Sequence, residues 1–99
     1  MTRQKIFDLI IAYFKDKPVK KISVFGSYAT GKYNSGSDID LIISLEKPVG
    51  LIKLSGYRLD LEKKLGIPID LGTEKGISPF ILPYITKEIK VIYEQPRKR

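Results

Sequence analysis

The residues best suited to chemistry form a two-part motif in the first half of the chain. Gly26-Ser27 is separated by ten residues from Asp38-Ile39-Asp40, and a further acid, Asp70, lies in a short apolar stretch. Glycine and serine offer backbone N–H groups and a hydroxyl with no bulky side chain in the way, which suits phosphate oxygens. Carboxylate oxygens bind hard cations such as magnesium. The motif therefore predicts a site for a phosphorylated ligand and its metal ions.

The spacing of the acids supports this interpretation. Asp38 and Asp40 are two residues apart, so on a strand their side chains share one face. Asp70 joins that face if its strand lies beside theirs. Carboxylates so close raise one another's pKa values unless a cation lies between them. Because aspartate is disfavoured in strands, the pattern favours a functional site over ordinary surface residues.

Composition limits the possible chemistry. The chain has 99 residues, enough for one domain over residues 1–99, and contains neither histidine nor cysteine. This excludes a Ser-His-Asp triad, disulfides and the usual zinc ligands, so any metal must be held by oxygen. The formal charge of +7 suits a polyanionic partner, and nucleic acid is possible though not required. With no signal peptide and no membrane-spanning apolar run, we expect a cytoplasmic protein.

Apolar periodicity and end signals predict the elements that must position the motif. Thr2 is expected to cap the first helix, Pro18 to follow its end, and Gly66 to cap the second helix. Leu51, with Leu54, Leu61 and Leu65, is expected to form the apolar side of that second helix. The predicted helices span residues 3–16, 50–65 and 79–88, the strands 20–26, 38–45, 67–72 and 89–93, and the basic tail 95–99.

This order of elements predicts an α/β (α+β) fold, with a small mixed sheet of three or four strands and helices packed against it. The nearly continuous apolar sequence after Asp40 indicates a central strand that is covered on both faces.

The same segment also matches most of a P-loop. Gly26 to Lys32 fits Gly-x-x-x-x-Gly-Lys, but Tyr33 occupies the position where a metal-binding Ser or Thr is required. A P-loop must also lead into a helix, whereas residues 34–37 are typical of a loop and a strand follows. The P-loop interpretation is therefore disfavoured.

The phrase GSYATGKYNSGSDIDLII, with a later strand carboxylate, resembles the nucleotidyltransferase superfamily of DNA polymerase β, in particular its minimal, MNT-type members. The segment LEKKLGIPIDLGTEKGISPFILPYITKEIKVIY resembles the second half of those proteins, so the likeness covers residues 20–93. The resemblance implies a polymerase β-like palm. It also implies a magnesium-dependent transfer of a nucleotide with release of pyrophosphate.

The resemblance also implies roles for individual residues. Asp38 and Asp40 would bind two Mg²⁺ ions that hold the triphosphate of ATP, and Asp70 would complete one metal site and help activate the attacking hydroxyl. Gly26 and Ser27 would bind the phosphates. Minimal members usually read Gly-Ser-x-Ala-Arg-Gly, whereas this chain has Thr30 in place of the arginine. The missing positive charge would then have to come from Lys32 or Arg58.

Proteins of this appearance are commonly antitoxins, of a type VII-like kind, paired with a HEPN-type RNase toxin. The resemblance implies transfer of AMP from ATP to a tyrosine of that toxin. A binding module that neutralises its partner by contact alone is one alternative. Nucleotidyl transfer to RNA or to a small molecule is another.

Overall fold

The computed structural model of the protein describes residues 1–76 and 88–96. Helix α1 spans Arg3–Phe14 and begins where the Thr2 hydroxyl accepts a hydrogen bond from the backbone N–H of Lys5, at 3.2 Å. Its apolar stripe is buried, with Ile6 and Ile10 among the core side chains. The predicted cap and the predicted face of this helix are both confirmed.

The strands of the described residues are Val19–Phe25 (β1), Ile39–Leu45 (β2), Ile69–Thr73 (β3) and Ile89–Glu94 (β4). They form one mixed sheet in the order β3-β2-β1-β4. Strand β1 pairs antiparallel with both β2 and β4, and β2 pairs parallel with β3. A parallel neighbour requires a crossover connection, which the helix over Leu51–Leu65 supplies.

Helix α3 spans Leu51–Leu65 and ends at Gly66, whose φ of +67° is the left-handed conformation that favours glycine. A short helix, α2, spans Ser27–Thr30, and a single 3₁₀ turn spans Glu74–Gly76. None of the helices in residues 1–76 and 88–96 is long and apolar enough to cross a membrane.

The core lies between one face of the sheet and helices α1 and α3. Alternate residues of β2 supply its centre, since Ile39, Leu41 and Ile43 are all 0% exposed. Ile42, on the opposite face of β2, is also buried, at 5% exposed. This central strand is therefore covered on both faces, as its apolar sequence predicts.

The α+β architecture, the central position of β2 and the edge strand β4 are confirmed. The prediction for Leu51 is wrong, since this side chain is 82% exposed. The buried side of α3 comes from later turns, where Tyr57, Leu61 and Leu65 face the core. The helix predicted over residues 79–88 lies almost wholly outside the described residues, and so do residues 97–99 of the tail.

Candidate active site

The three sequence-predicted acids converge at one end of the sheet. Parallel pairing of β2 with β3 places Asp40 directly beside Asp70, so the two side chains share a face. Asp38 immediately precedes β2, two residues before Asp40. Asp38 and Asp70 are exposed and Asp40 is partly buried. Strand register therefore creates the cluster of carboxylates that the spacing predicts.

The electrostatics of the cluster concentrate on Asp40. Burial raises the pKa of the Asp40 carboxyl above its ordinary value, and the negative charges of Asp70 and then Asp38 raise it further. A positive ion near Asp40 would offset both neighbouring charges and favour the ionised form. The site is thus suited electrostatically to a cation.

Gly26 brings the end of β1 up against this cluster. Its φ of +74° and ψ of −150° belong to a conformation that side chains other than glycine's rarely adopt. A Cβ at this position would lie 2.9 Å from Oδ2 of Asp40. The preceding residue, Phe25, pairs with Asp40 across the sheet. The Gly-Ser turn and the acids, twelve residues apart in sequence, therefore form one site.

The turn itself is the short helix α2, an element the sequence patterns do not predict. The carbonyl of Gly26 accepts hydrogen bonds from the N–H groups of Ala29 (3.1 Å) and Thr30 (3.2 Å). Gly31 closes the turn, with a φ of +84° and an N–H bond to the Ser27 carbonyl of 2.9 Å. The first N–H groups of a helix have no hydrogen-bond partner within the helix, so the N–H of Ser27 can bind a phosphate oxygen.

The loop that leads to the acids is held by its own side chains. The Asn34 side-chain oxygen accepts a hydrogen bond from the N–H of Gly36 at 2.8 Å, and the Ser37 hydroxyl accepts one from the N–H of Asn34 at 3.0 Å. Such local bonds fix a turn without secondary structure. Asp38 therefore follows a preformed turn.

Arg3 is the site-adjacent residue that the sequence analysis missed. Its Nη1 donates to the carbonyls of Tyr28 and Ala29, both at 3.2 Å. The sequence suggests Arg58 and Lys32 as sources of the positive charge that is missing at Thr30. Arg58 bonds Glu62 on its own helix at 3.1 Å, and Lys32 is exposed. No local pattern marks Arg3, because its contacts lie 25 and 26 residues away.

Magnesium fits the chemistry of this donor set, which consists of oxygen ligands alone. Asp38, Asp40 and Asp70 are the residues that would hold it, and Gly26 keeps the space beside Asp40 free of a side chain. Within residues 1–76 and 88–96, no three acidic side chains are grouped into a ready-made metal cage.

Two cavities in the described part of the chain, of about 580 and 240 Å³, lie at the opposite end of the sheet. Lys20 and Ser44 line both of them, and the three aspartates line neither. The candidate site is therefore assigned from the acids and the Gly-Ser turn, and neither cavity is part of it.

A mixed sheet with paired strand carboxylates beside a Gly-Ser turn is the arrangement that the resemblance to nucleotidyltransferases implies. The model of the nucleotidyltransferase domain family matches residues 8–92. The chain belongs to this family.

Two relatives carry more specific names. A protein of Methanocaldococcus jannaschii with the provisional name protein adenylyltransferase is 40% identical over 72 residues, which cover 73% of this chain and 70% of the relative. The protein adenylyltransferase MntA of Thermococcus cleftensis is 28% identical over 93 residues, which cover 90% of this chain and 94% of the relative.

Solved structures share the fold. A toxin-antitoxin crystal structure with AMP-PNP matches with a TM-score of 0.80 at 22% identity, covering 90% of this chain and 73% of that chain. The Shewanella oneidensis complex of a tri-AMPylated HEPN toxin with its MNT antitoxin matches with a TM-score of 0.77 at 20% identity, covering 95% of this chain and 74% of that chain. Both likenesses support the architecture described above.

Proposed function

We propose that this protein transfers AMP from ATP to a tyrosine hydroxyl of a HEPN-type toxin partner, and so acts as an antitoxin. The observation that carries the proposal is the register of Asp40 with Asp70 beside the Gly26 turn. The relatives named protein adenylyltransferase support the reaction, and the toxin-antitoxin complexes of the same fold support the partner.

Each site residue has a distinct role in this proposal. Gly26 and Ser27 hold phosphate oxygens, because the glycine admits close approach and the turn supplies unused N–H groups. Asp38 and Asp40, on one face of the sheet, hold the cations that accompany the triphosphate. Asp70, which is exposed and in register with Asp40, would complete one metal site and help remove the proton of the incoming hydroxyl.

The reaction forms one bond and breaks one. The tyrosine oxygen attacks the α-phosphorus in line with the bridging oxygen to the β-phosphorus, the bond to that bridging oxygen breaks, and pyrophosphate leaves. The hydroxyl proton passes to a base, for which Asp70 is the candidate. Two bound magnesium ions would supply charge stabilisation of the attacking and leaving oxygens. Because positioning and charge stabilisation do most of the work, the lack of histidine is no obstacle.

The test combines the chain with a HEPN-type protein, magnesium and ATP labelled on its α-phosphate. We expect label on the partner and none on a partner whose acceptor tyrosine is changed to phenylalanine. The double variant Asp38→Asn/Asp40→Asn should abolish labelling. Its matched control, Asp8→Asn/Glu46→Gln, removes two negative charges from exposed positions outside the site and should label normally.

Three outcomes count against the proposal. Equal labelling by the double-aspartate variant would show that the acids do not carry the reaction. If that variant is inactive yet still neutralises the partner fully in cells, the protein acts by contact. Label on RNA in place of the protein partner would assign a different acceptor.

A further inference from the structure

Arg3, in the first turn of α1, is bound to the back of the Gly26–Gly31 turn. A single nitrogen, Nη1, donates to the carbonyls of Tyr28 and Ala29, at 3.2 Å each. These carbonyls belong to α2, whose last residue is Thr30. The last carbonyls of a helix have no partner within it, so the guanidinium supplies the acceptors with a donor they would otherwise lack.

The guanidinium is held in place by further contacts. Its central carbon lies 5.6 Å from the ring centroid of Phe7, a core residue that is 2% exposed. A Cβ on Gly31 would lie 3.4 Å from Nη1, so the backbone of the turn closes over the guanidinium. The guanidinium of Arg3 is therefore held close to Thr30, because it bonds the Ala29 carbonyl and approaches the Cβ position of Gly31.

The short helix in the Gly26–Gly31 turn is not expected to be stable by itself. A helix of four residues is far below the length at which helices are stable alone. A positive charge near a helix C-terminus is favourable, and hydrogen bonds from a charged donor are stronger than neutral ones. The carbonyls that Arg3 binds belong to the residues directly after Ser27, so the same contact fixes the turn that faces the acids.

We propose that Arg3 is a positioning residue that holds the Gly26–Gly31 turn in its folded form and so keeps Ser27 in place to bind the phosphates of the nucleotide. The second half of this inference rests on the proposed function. The first half stands on the contacts of the turn alone. The two halves therefore have separate measurements.

Amide hydrogen exchange tests the hold on the turn. Arg3→Met keeps an unbranched apolar stem against Phe7 but removes the donors and the charge. We expect at least about tenfold faster exchange at the amides of Ala29, Thr30 and Gly31, because the variant loses both charge-assisted bonds to the turn. Arg3→Lys should restore most of the protection. The control Lys5→Met removes the same charge from an exposed side chain on α1 and should leave these amides unchanged.

Core amides such as those of Val24 and Ile42 report whether a variant is still folded. If Arg3→Met loses protection there as well, Arg3→Gln replaces it as the uncharged variant. Unchanged exchange at the turn in a folded uncharged variant overturns the proposal. Equal effects of methionine and lysine also overturn it, because they would assign the role to packing and not to charge.

Calorimetric titration with magnesium and ATP tests the effect on the nucleotide. Arg3→Met should bind about tenfold more weakly than the parent chain, because the turn no longer keeps Ser27 in place, while Lys5→Met binds within twofold. Weakened binding without faster exchange contradicts the hold on the turn. Faster exchange in a chain that binds no ATP supports that hold and counts against the proposed function.

Discussion

Oδ2 of Asp40 lies 2.9 Å from the point that a Cβ on residue 26 would occupy. A methyl group at residue 26 would therefore force the Asp40 carboxylate to shift. Only glycine satisfies both the positive φ of this position and its closeness to the carboxylate. This contact joins the two halves of the sequence motif into one site.

Gly26→Ala should damage the site and the fold together. We expect a loss of about 1–2 kcal/mol in the free energy of unfolding, because the backbone is strained and Asp40 must shift. Magnesium-dependent ATP binding should fall at least about tenfold. Urea denaturation and calorimetry measure the two effects.

Gly56→Ala is the matched control. Gly56 lies inside α3, and a Cβ there would meet no atom within 4 Å. Alanine should stabilise the protein by about 0.5–1 kcal/mol, because glycine is unfavourable inside a helix. An ATP affinity of Gly26→Ala equal to that of the parent chain would contradict the role assigned to Gly26.

Asp40→Asn should stabilise the protein while it abolishes the activity. The substitution removes a partly buried negative charge that faces Asp70 in register. Like charges directly opposite on neighbouring strands destabilise a sheet, so we expect a gain of about 0.5 kcal/mol at neutral pH without added metal. Thermal denaturation measures the gain. A clear loss of stability in Asp40→Asn would contradict it.

The raised pKa of Asp40 also sets a pH dependence. Between the ordinary pKa of an aspartate and the raised one, the folded state binds more protons than the unfolded state. The free energy of unfolding should therefore fall as pH rises through this window. Asp40→Asn should lack this component, while Glu46→Gln should keep it. Magnesium favours the ionised carboxylate, so it should lower the Asp40 pKa measured by carboxyl NMR.

Asn34→Ala should loosen the turn that precedes Asp38. The variant removes the acceptor for the Gly36 N–H, whose bond is 2.8 Å long. We expect ATP binding to weaken by about threefold to tenfold, with little change in overall stability since the turn is exposed. Ser35→Ala, in the same exposed turn, is the control and should bind normally. Equal effects of the two substitutions would assign no special role to Asn34.

Tyr13→Phe should weaken the contact between α1 and α3. The Tyr13 hydroxyl donates a hydrogen bond of 2.6 Å to Asp60, and burial followed by this bond raises the Tyr13 pKa. We expect a loss of about 1 kcal/mol in the free energy of unfolding. Tyr33→Phe, which keeps its ring stacked on Tyr28 at 4.3 Å, should cost less.

A high pH series separates this bond from simple packing. Because the Tyr13 pKa is raised in the folded state, its stabilisation is present below the ordinary tyrosine value of 10.0 and is lost as pH rises above it. The parent chain should therefore lose stability above pH 10 more steeply than Tyr13→Phe does. Parallel curves for the two proteins would contradict the assignment.

Much of the fold was predictable because local patterns determine local structure. The Thr2 cap, the Gly66 cap and the apolar face of α1 follow from residues within one or two helical turns. The nearly continuous apolar sequence of β2 after Asp40 identifies a strand that is buried on both faces. The error at Leu51 has the same origin, since periodicity gives a helix face but not how far the core extends along it.

Local sequence patterns specify most of the elements and the residue types of the site: a Gly-Ser turn, two acids at strand spacing and a third acid on another strand. Long-range packing places Asp70 beside Asp40, the Cβ position of Gly26 beside the Asp40 carboxylate, and Arg3 against the back of the turn. These contacts join residues 14 to 30 positions apart. Their geometry depends on the crossover of α3 and the packing of α1, which no local periodicity encodes.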